Sequence, residues 1–395
     1  MPAVSTASLV APPAAELLDL LGTLPSPALL YDFDGLARSM DILMTDLASV
    51  GNAQLNMALK ACHTPRVLAF LASLGLGADV ASPGELELAA AAGFPRITAT
   101  GPSFTVADLP ALRRHGVLLD ASSIEQFTAV AEADPGSDLG IRLRVPLPPA
   151  IEDGRTTFGT GSRFGVLATD RRIRAVLERT GGRLTRLHTH TGQMTPQHLR
   201  YKVRYLLTVA EAYTDVAEID LGGGFFSLYH RRDQALQAWS DVRTHLEDFT
   251  RRTGRTIRIQ VEPGGAILAP HGYLVTTVSA AEPGHSAFDA DLLTVDASAW
   301  NFAPWHKPQV IPLTEARDDE ELRPTLVAGN TLYENDFFGN DVLGNKFTYP
   351  LPAMQAGDRL VFTAAGAYTM TNSRRFNRLP LPAEFTLHAG EIEAL

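Results

Sequence analysis

The sequence is poor in lysine and cysteine, and it carries no excess of positive charge. Only four of its 34 basic residues are lysines, and the formal charge is -10 without a basic stripe to offset it, so a nucleic-acid partner is not expected. The single cysteine, Cys62, excludes an internal disulfide framework and a cysteine-based zinc site, and it fits a cytoplasmic protein. Glu16 and Asp19 interrupt the apolar stretch near the N-terminus, so neither a signal peptide nor a membrane span is expected.

Strand-like and helix-like segments alternate from residue 54 to about residue 264. The predicted strands are Gln54–Ala61, Gly77–Ser82, Ile97–Pro102, Val117–Ala121, Gly140–Val145, Arg186–Gly192, Glu218–Gly224 and Arg258–Gly264. The helix-like segments are Pro65–Leu74, Pro83–Ala92, Val106–Arg114, Ile124–Ala133, Arg171–Thr180, Pro196–Tyr213 and Gln234–Arg252. Several begin with a capping residue or a proline, as at Ser82-Pro83. Eight consecutive β-α units predict a (β/α)8 TIM barrel, whose chemistry lies at the C-terminal ends of the strands.

The chain changes character beyond about residue 271, where short β-rich runs are separated by Gly, Pro and Asp. These runs predict a separate β-domain of sandwich or barrel type, and the strand-like segment Pro27–Tyr31 is expected to pair with it. The predicted domains are an N-terminal segment, 1–34, that partly joins the β-domain, a cofactor-binding barrel, 35–270, and the β-domain itself, 271–395. The loop Pro146–Gly161 lacks periodicity and is interpreted as a mobile lid.

Lys60 ends the apolar run that begins at Gln54. A lysine at the tip of a buried strand is costly unless its ammonium has a partner or is consumed chemically. Lysine is also the side chain that condenses with an aldehyde, which is how pyridoxal phosphate is held in proteins. For Lys60 alone, a strand-end lysine that reaches solvent is the simpler interpretation. The residues at the other strand ends decide between this interpretation and a lysine that binds pyridoxal phosphate.

Six predicted strand ends carry residues that suit one cofactor. They are Lys60, Asp79, Arg144, His190, Gly222–Gly224 and Glu262. A buried carboxylate such as Glu262 keeps a pyridine nitrogen protonated through a charge-assisted hydrogen bond. Gly222, Gly223 and Gly224 let backbone N–H groups approach a phosphate closely, and His190 offers a flat face for the ring. The combination favours a pyridoxal phosphate site.

The segment His188-Thr-His190 suggests a rival, because an H-x-H pair ligates metal in barrel hydrolases. In such enzymes the pair is expected near the first strand, with further His and Asp ligands on later strands. Here it lies on the sixth predicted strand, and no other predicted strand end offers a histidine. The sequence therefore predicts no metal site.

The motifs resemble, in order and spacing, those of the fold-type III pyridoxal-phosphate enzymes of the ornithine, diaminopimelate and arginine decarboxylase group, over roughly residues 27–380. They are Ala58-Leu-Lys60-Ala-Cys62, Gly77-Ala-Asp79-Val-Ala-Ser82, Ser162-Arg163-Phe164-Gly165, His190-Thr-Gly192, Asp220-Leu-Gly-Gly-Gly224, Glu262-Pro-Gly264 and Ala365-Gly-Ala-Tyr368. The resemblance implies an alanine racemase-like fold, with a barrel and a β-domain. It also implies a head-to-tail homodimer with shared active sites, in which Tyr368 and Asp336 lie close to either chain's cofactor.

The same resemblance implies a role for each matched residue. Lys60 forms the Schiff base, His190 stacks on the ring and Glu262 pairs with the pyridine nitrogen. Gly222, Gly223, Gly224 and Tyr368 bind the phosphate. Asp79, Arg144 and Gly264 complete the predicted cofactor-binding set.

Three departures from the family pattern concern the reaction and the substrate. Leu332 stands where the family has the cysteine that protonates the carbanion, so Tyr333, Glu334, water or a donor elsewhere in the site is expected to take its place. Gly265 stands where an arginine is expected after Glu-Pro-Gly. The stretch 296–305 lacks the arginine that diaminopimelate enzymes use, and it has Asn301 where diamine-forming enzymes carry an aspartate. Its aromatic residues, Trp300, Phe302 and Trp305, suggest a larger or less charged substrate of specialised metabolism.

The sequence thus predicts a pyridoxal-phosphate-dependent decarboxylase that removes the α-carboxylate of an amino acid or derivative, either free or tethered to a carrier protein. Its predicted catalytic residues are Lys60, His190, Glu262, Tyr333 and Asp336. Two alternatives stay open. One is a racemase or epimerase, with Lys60 and Tyr333 on opposite faces of the substrate. The other is a non-catalytic pyridoxal-phosphate-binding homologue that dimerises with, or regulates, a true enzyme.

Overall fold

The computed structural model describes residue 9 and residues 12–154, 156–302, 308–313, 321–340 and 344–395. It divides into two compact units, one containing residues 39–266 and the other residues 10–38 with 267–395. The strands in chain order are β1 Ala28–Asp32, β2 Ala53–Ala58, β3 Gly77–Val80, β4 Ile97–Thr100, β5 Leu119–Ala121, β6 Asp138–Arg144, β7 Val166–Leu167, β8 Arg183–His188, β9 Glu218–Asp220, β10 Arg258–Val261, β11 Gly272–His285, β12 Ala290–Val295, β13 Val310–Pro312, β14 Arg323–Ala328, β15 Tyr349–Leu351, β16 Arg359–Phe362, β17 Ala383–His388 and β18 Glu391–Ala394. The α-helices are α1 Ala15–Gly22, α2 Phe33–Ala48, α3 Pro65–Ser73, α4 Pro83–Ala92, α5 Leu109–Arg114, α6 Ile124–Ala133, α7 Arg172–Thr180, α8 Pro196–Ala212, α9 Phe225–Leu228, α10 Arg232–Thr253, α11 Gly265–Leu268 and α12 Thr369–Asn372.

The first unit is a closed parallel barrel, as predicted. Its eight strands follow the order β2-β3-β4-β5-β6-β8-β9-β10, and pairing of β10 with β2 closes the ring. Seven of the eight predicted barrel strands extended too far at their C-terminal ends, the exception being Val117–Ala121. The first one stops at Ala58, and Lys60 lies in the single 3-10 turn that follows, Leu59–Ala61, with its side chain exposed. Lys60 is therefore placed just beyond the strand rather than on its buried tip.

Helix starts in the barrel unit follow the capping residues in the sequence. The Ser82 hydroxyl accepts a hydrogen bond from the Glu85 N–H, 3.2 Å, and the Ser123 hydroxyl accepts one from the Gln126 N–H, 3.1 Å. These bonds satisfy backbone donors that the first helical turn leaves without partners. They fix where α4 and α6 begin, and so where the strand-to-helix loops turn.

The lower barrel interior contains polar side chains that hydrogen-bond to one another across the barrel. Arg186 of β8 is buried and donates to both carboxylate oxygens of Asp120 on β5, at 2.9 and 3.0 Å. Asn56 of β2 donates to Thr98 and to Gln260, each at 3.2 Å. Such cross-barrel contacts fix the rotamers of inward-facing residues beneath the strand ends.

The second unit is one mixed β-sheet that is organised around the long strand β11. Its first half pairs with β1 and β16, and its second half pairs with β12. Strand β1 also pairs in parallel with β17. The segment Pro27–Tyr31, predicted to join the β-domain, therefore lies in the middle of this sheet. The sheet continues through strands that the sequence pattern did not predict, namely β13, β15 and β18.

The described residues of the loop 146–161 make hydrogen bonds to α8 and to the segment that leads into it. The Ile151 carbonyl lies 2.8 Å from His198 Nε2, the Pro146 carbonyl accepts from the Tyr201 hydroxyl at 2.6 Å, and Gln193 N–H donates to the Thr156 carbonyl at 2.7 Å. The interpretation of this loop as a mobile lid stays a prediction.

No helix among the described residues is long and apolar enough to cross a lipid bilayer.

Candidate active site

The barrel strand ends bring Lys60, Asp79, His190, Gly222–Gly224 and Glu262 to one rim. Lys60 follows β2, Asp79 lies in β3, His190 follows β8, the glycines follow β9 and Glu262 follows β10. Their proximity is also seen in their electrostatics. The charge of Lys60 lowers the pKa of His190, and it opposes the rise in the pKa of Asp79. The structure therefore brings together five of the six strand-end sites that the sequence proposed for one cofactor, all except Arg144.

Three buried carboxyl groups lie close together at this rim: Asp79, Asp220 and Glu262. Burial first, and then the charge of Glu262, raises the pKa values of Asp79 and Asp220 well above their usual range. Glu262 Oε2 lies 3.3 Å from His188 Nε2. Glu262 Oε1 is buried without an N–H or hydroxyl donor among the described residues, although a side-chain hydrogen bond with Glu262 contributes to the raised pKa values of both Asp79 and Asp220. An unpartnered buried carboxylate oxygen is costly unless a donor is supplied.

The two histidines of the H-x-H segment have different surroundings. His188 is buried beside Glu262, and burial lowers its pKa to about 4. His190 is half-buried, and its Nδ1 accepts a hydrogen bond from the Gly223 N–H at 3.1 Å. Burial, followed by the charge of Lys60, lowers the pKa of His190 well below its usual range. These shifts favour the neutral form of both rings, and His190 is held by its Nδ1.

The glycine loop after β9 has no room for side chains. A Cβ on Gly223 would lie 2.6 Å from the Glu262 carbonyl, and one on Gly224 would lie 1.9 Å from the Gly192 carbonyl. Gly224 also has a φ of +90°, which L side chains rarely adopt. The Gly222 N–H donates to Asp220 and the Gly223 N–H to His190. The loop is therefore held by close backbone contacts with the segments on either side of it.

Two arginines of β6 lie two residues apart, and the sequence argument selected Arg144. Arg144 donates to the Thr160 carbonyl at 3.3 Å. Arg142 instead donates to the His190 carbonyl at 3.4 Å and lies over the Phe164 ring. Burial lowers the pKa of Arg142, while Glu262 and Asp79 raise it. Arg142 was missed, although the two-residue period of a strand places it on the same face as Arg144.

Sequence reasoning also missed Asp220 and Lys202, and it considered His188 only as a metal ligand. Asp220 has a local signal, because it immediately precedes the glycine loop. Lys202, on α8, has none, since its partner is the distant Leu221 carbonyl, 2.6 Å from its Nζ. The ligand-type atoms of His188, Asp220 and Glu262 lie within 4.8 Å of one another, but His188 already contacts Glu262 directly. The absence of a metal thus stays a prediction.

The β-unit residues proposed for the site lie on its own loops. Both Asp336 carboxylate oxygens are occupied, one by Ser298 and the Ala299 N–H and the other by Thr331. Leu332 is 90% exposed, and the neighbouring Tyr333 is 42% exposed. Tyr368 is half-buried with a left-handed backbone, φ 61°, just before α12. Gly264, in the barrel unit, is buried at the start of α11.

An aromatic cluster surrounds the exposed loop of Leu332. Trp300 stacks on Tyr333, with ring centroids 4.9 Å apart, and meets the edge of Phe376 at 5.0 Å. The Arg374 guanidinium lies 5.0 Å from the centre of the Trp300 ring. Phe302, by contrast, is buried and packs with Phe338 and Phe362, so it is a core residue and not a substrate contact. Asn301 is buried too, and Trp305 lies outside the described residues.

The barrel rim fits pyridoxal phosphate on two counts. Glu262 Oε1 can accept a hydrogen bond from a protonated pyridine nitrogen. Lys60 extends an exposed amine from the neighbouring turn. The glycines at 222–224 are explained by packing, because a Cβ on each would meet a neighbouring carbonyl, and the Gly222 and Gly223 N–H groups already donate to Asp220 and His190. The phosphate role of this loop therefore stays a prediction.

Comparison with known proteins gives a consistent result. The family model described as "Pyridoxal-dependent decarboxylase, pyridoxal binding domain" matches residues 38–269. The diaminopimelate decarboxylase of Escherichia coli (strain K12) is 26% identical over 402 residues, covering 97% of this chain and 93% of the relative. That of Streptomyces coelicolor is 28% identical over 358 residues, covering 86% and 80%.

Solved structures show the same fold. The crystal structure of diaminopimelate decarboxylase from Helicobacter pylori complexed with L-lysine has a TM-score of 0.76 at 20% identity, covering 95% of each chain.

Proposed function

Because this chain belongs to the pyridoxal-dependent decarboxylase family, we propose that it removes the α-carboxylate of an amino acid with an extended, weakly charged side chain. The observation that carries the proposal is the buried, unpartnered Oε1 of Glu262, on the barrel rim beside the glycine loop. A protonated pyridine nitrogen would donate a hydrogen bond to that atom. The protonated ring is also the form that withdraws electrons from the substrate.

When bound, pyridoxal phosphate supplies an aldehyde that condenses with amines and a cationic ring that accepts the electron pair left by departing carbon dioxide. Lys60 would hold the aldehyde, Glu262 the ring nitrogen, and Gly222–Gly224 the phosphate. His190, neutral and fixed by the Gly223 N–H, provides a flat surface without adding a positive charge.

The residues of this chain also control where protons reside. Glu262 Oε1 would accept a hydrogen bond from the ring nitrogen and favour its protonated form, because the nearby Asp79 and Asp220 have raised pKa values and favour their neutral forms. After carbon dioxide has left, the α-carbon needs a proton. Leu332 has no proton to give, so we assign the donor to Tyr333 or to water.

The β-unit supports a homodimer with shared active sites. The exposed Leu332, Tyr333 and Phe376 form an apolar surface that a second copy would cover. In such a dimer, Tyr333 and Tyr368 of one subunit serve the cofactor of the other. Asp336, whose carboxylate oxygens accept from Ser298, Ala299 and Thr331, would hold Tyr333 in position through the bond from the Asp336 N–H to the Tyr333 carbonyl. Sedimentation of the purified protein tests this assembly, and a monomer at micromolar concentration contradicts it.

The substrate assignment rests on the aromatic cluster of Trp300, Tyr333 and Phe376. An aromatic surface favours an extended apolar or acylated side chain over a short diamine chain. The purified protein with pyridoxal phosphate should be offered diaminopimelate, ornithine, lysine, larger amino acids, N-acyl derivatives and carrier-bound aminoacyl thioesters. Carbon dioxide release together with an amine product identifies the substrate, and the thioester arm separates tethered from free substrates. Exchange of the α-proton without carbon dioxide release contradicts decarboxylation.

Replacing Leu332 with cysteine tests the missing proton donor. A thiol at this exposed position supplies an acid that leucine lacks, so the decarboxylation rate should rise, by up to about tenfold if protonation limits turnover. The measurement is the steady-state rate together with the ratio of products, and Leu332→Ser is the control for polarity without comparable acidity. An unchanged rate and product ratio means that Tyr333 or water already suffices.

A cytoplasmic location stays a prediction, based on the single, buried Cys62.

A further inference from the structure

Lys202 is a fully buried lysine that the proposed chemistry does not use. It lies on α8 with 0% of its surface exposed. Its Nζ donates to the Leu221 carbonyl at 2.6 Å and contacts the Met194 sulfur at 3.5 Å. Only four lysines occur in this chain, so a lysine in the barrel wall calls for a physical reason.

Both partners of Lys202 are joined to the glycine loop. Leu221 immediately precedes Gly222, and the Met194 N–H donates to the Gly224 carbonyl at 2.8 Å. The ammonium therefore lies behind the loop and contacts the segments that hold its two ends. A displacement of Lys202 would be transmitted to Gly222 and Gly224 through these bonds.

The immediate surroundings leave the charge of Lys202 incompletely balanced. Its direct contacts, a carbonyl and a thioether, are neutral, and burying an ammonium without a contacting anion is costly. Burial lowers the pKa of Lys202 to about 7, although Asp220 and Glu262 raise it from a distance. An anion bound on the other face of the glycine loop would supply the missing countercharge. Gly265, which follows Gly264, has no side chain with which to bind such an anion.

We propose that Lys202 is a positioning residue for the phosphate of the cofactor, holding the glycine loop through the Leu221 carbonyl and balancing the phosphate charge from behind the loop. This inference rests on the proposed assignment of Gly222–Gly224 to the phosphate. It concerns affinity for the phosphate, since Lys60 and Glu262 would hold the other parts of the cofactor.

The test compares two probes on the protein freed of cofactor: pyridoxal phosphate, and pyridoxal, which lacks the phosphate. Lys202→Met removes the charge while keeping an unbranched side chain. It should weaken pyridoxal phosphate binding by about tenfold or more, and it should leave pyridoxal binding unchanged. Arg204→Met, on the exposed face of the same helix, removes an equal charge away from the loop and should change neither affinity.

The two probes separate the possible failures. If the wild-type protein binds both probes equally well, the glycine loop does not bind phosphate and the proposed site is wrong. If the wild type prefers pyridoxal phosphate and Lys202→Met retains the full preference, the role of Lys202 is overturned. Lys202→Gln, which keeps a donor for the Leu221 carbonyl without the charge, gives the same comparison if the methionine variant does not fold. A tenfold loss of preference in Lys202→Gln supports the charge as the cause.

Discussion

Replacing Lys60 with alanine should abolish both the visible absorbance of the bound cofactor and turnover. Lys60 is the exposed amine of the turn after β2, and its charge acts on both Asp79 and His190 across the rim. Without that amine, pyridoxal phosphate has no covalent anchor, and the substrate loses the group that moves protons beside it. Turnover should fall by at least about a thousandfold, which is the usual range for removing a nucleophile with acid-base duties.

Lys60→Arg is the matched control for charge. A guanidinium keeps the positive charge but is not deprotonated under ordinary conditions, so it cannot condense with an aldehyde. If charge alone mattered, Lys60→Arg would retain cofactor absorbance and activity, whereas covalent attachment predicts that it behaves like Lys60→Ala. Absorbance spectra of the dialysed proteins and assays of carbon dioxide release distinguish these outcomes. Retention of both properties by Lys60→Ala removes Lys60 from the mechanism.

The barrel was predictable because its signals are local and repeated. Alternating β and α segments, with start signals such as Ser82-Pro83, set most helix boundaries of the first unit within one or two residues. Strand ends were harder to place, since the apolar run that reaches Lys60 continues past Ala58 into a turn. Periodicity reports which residues are buried, and a buried turn gives the same signal as a strand.

The β-unit was harder to predict for a different physical reason. Strands β13 and β15 contain only three residues each, and both include a proline, so neither shows a two-residue alternation. They are strands because longer neighbours, β16 and β14, supply hydrogen-bond partners that are distant in the sequence. The core role of Phe302 likewise depends on Phe338 and Phe362, which no local pattern connects with it.

Within the site, the sequence indicated which residues lie at the rim but not how they are paired. His188 was considered as a metal ligand, whereas the fold places its Nε2 against Glu262. Lys202 gave no signal, because its partner carbonyl lies nineteen residues further along the chain. Motifs indicate single residues, whereas charge balance depends on groups that meet across the barrel.

Replacing Glu262 with glutamine should separate cofactor attachment from catalysis. Glutamine has nearly the same volume but no negative charge, so it cannot hold the ring nitrogen in its cationic form. The attachment at Lys60 involves the other part of the cofactor, so visible absorbance should be retained. The rate of carbon dioxide release should fall by at least about a hundredfold, because the ring no longer withdraws electrons effectively. Glu247→Gln, an exposed carboxylate on α10, is the matched control and should leave both properties unchanged.

The same substitution should change how the stability of the cofactor-free protein depends on pH. Because the pKa values of Asp79 and Asp220 are raised in the folded state, that state binds more protons than the unfolded chain above the ordinary aspartate pKa. Their contribution to the free energy of unfolding therefore decreases as the pH rises. Glu262→Gln removes one cause of the raised values, so urea titrations at pH 5 and pH 7 should differ less than in the wild type. If the free energy of unfolding differs between pH 5 and pH 7 by the same amount in both proteins, Glu262 is not the cause of the raised pKa values. If the variant is fully active, Glu262 is not required to keep the ring nitrogen protonated.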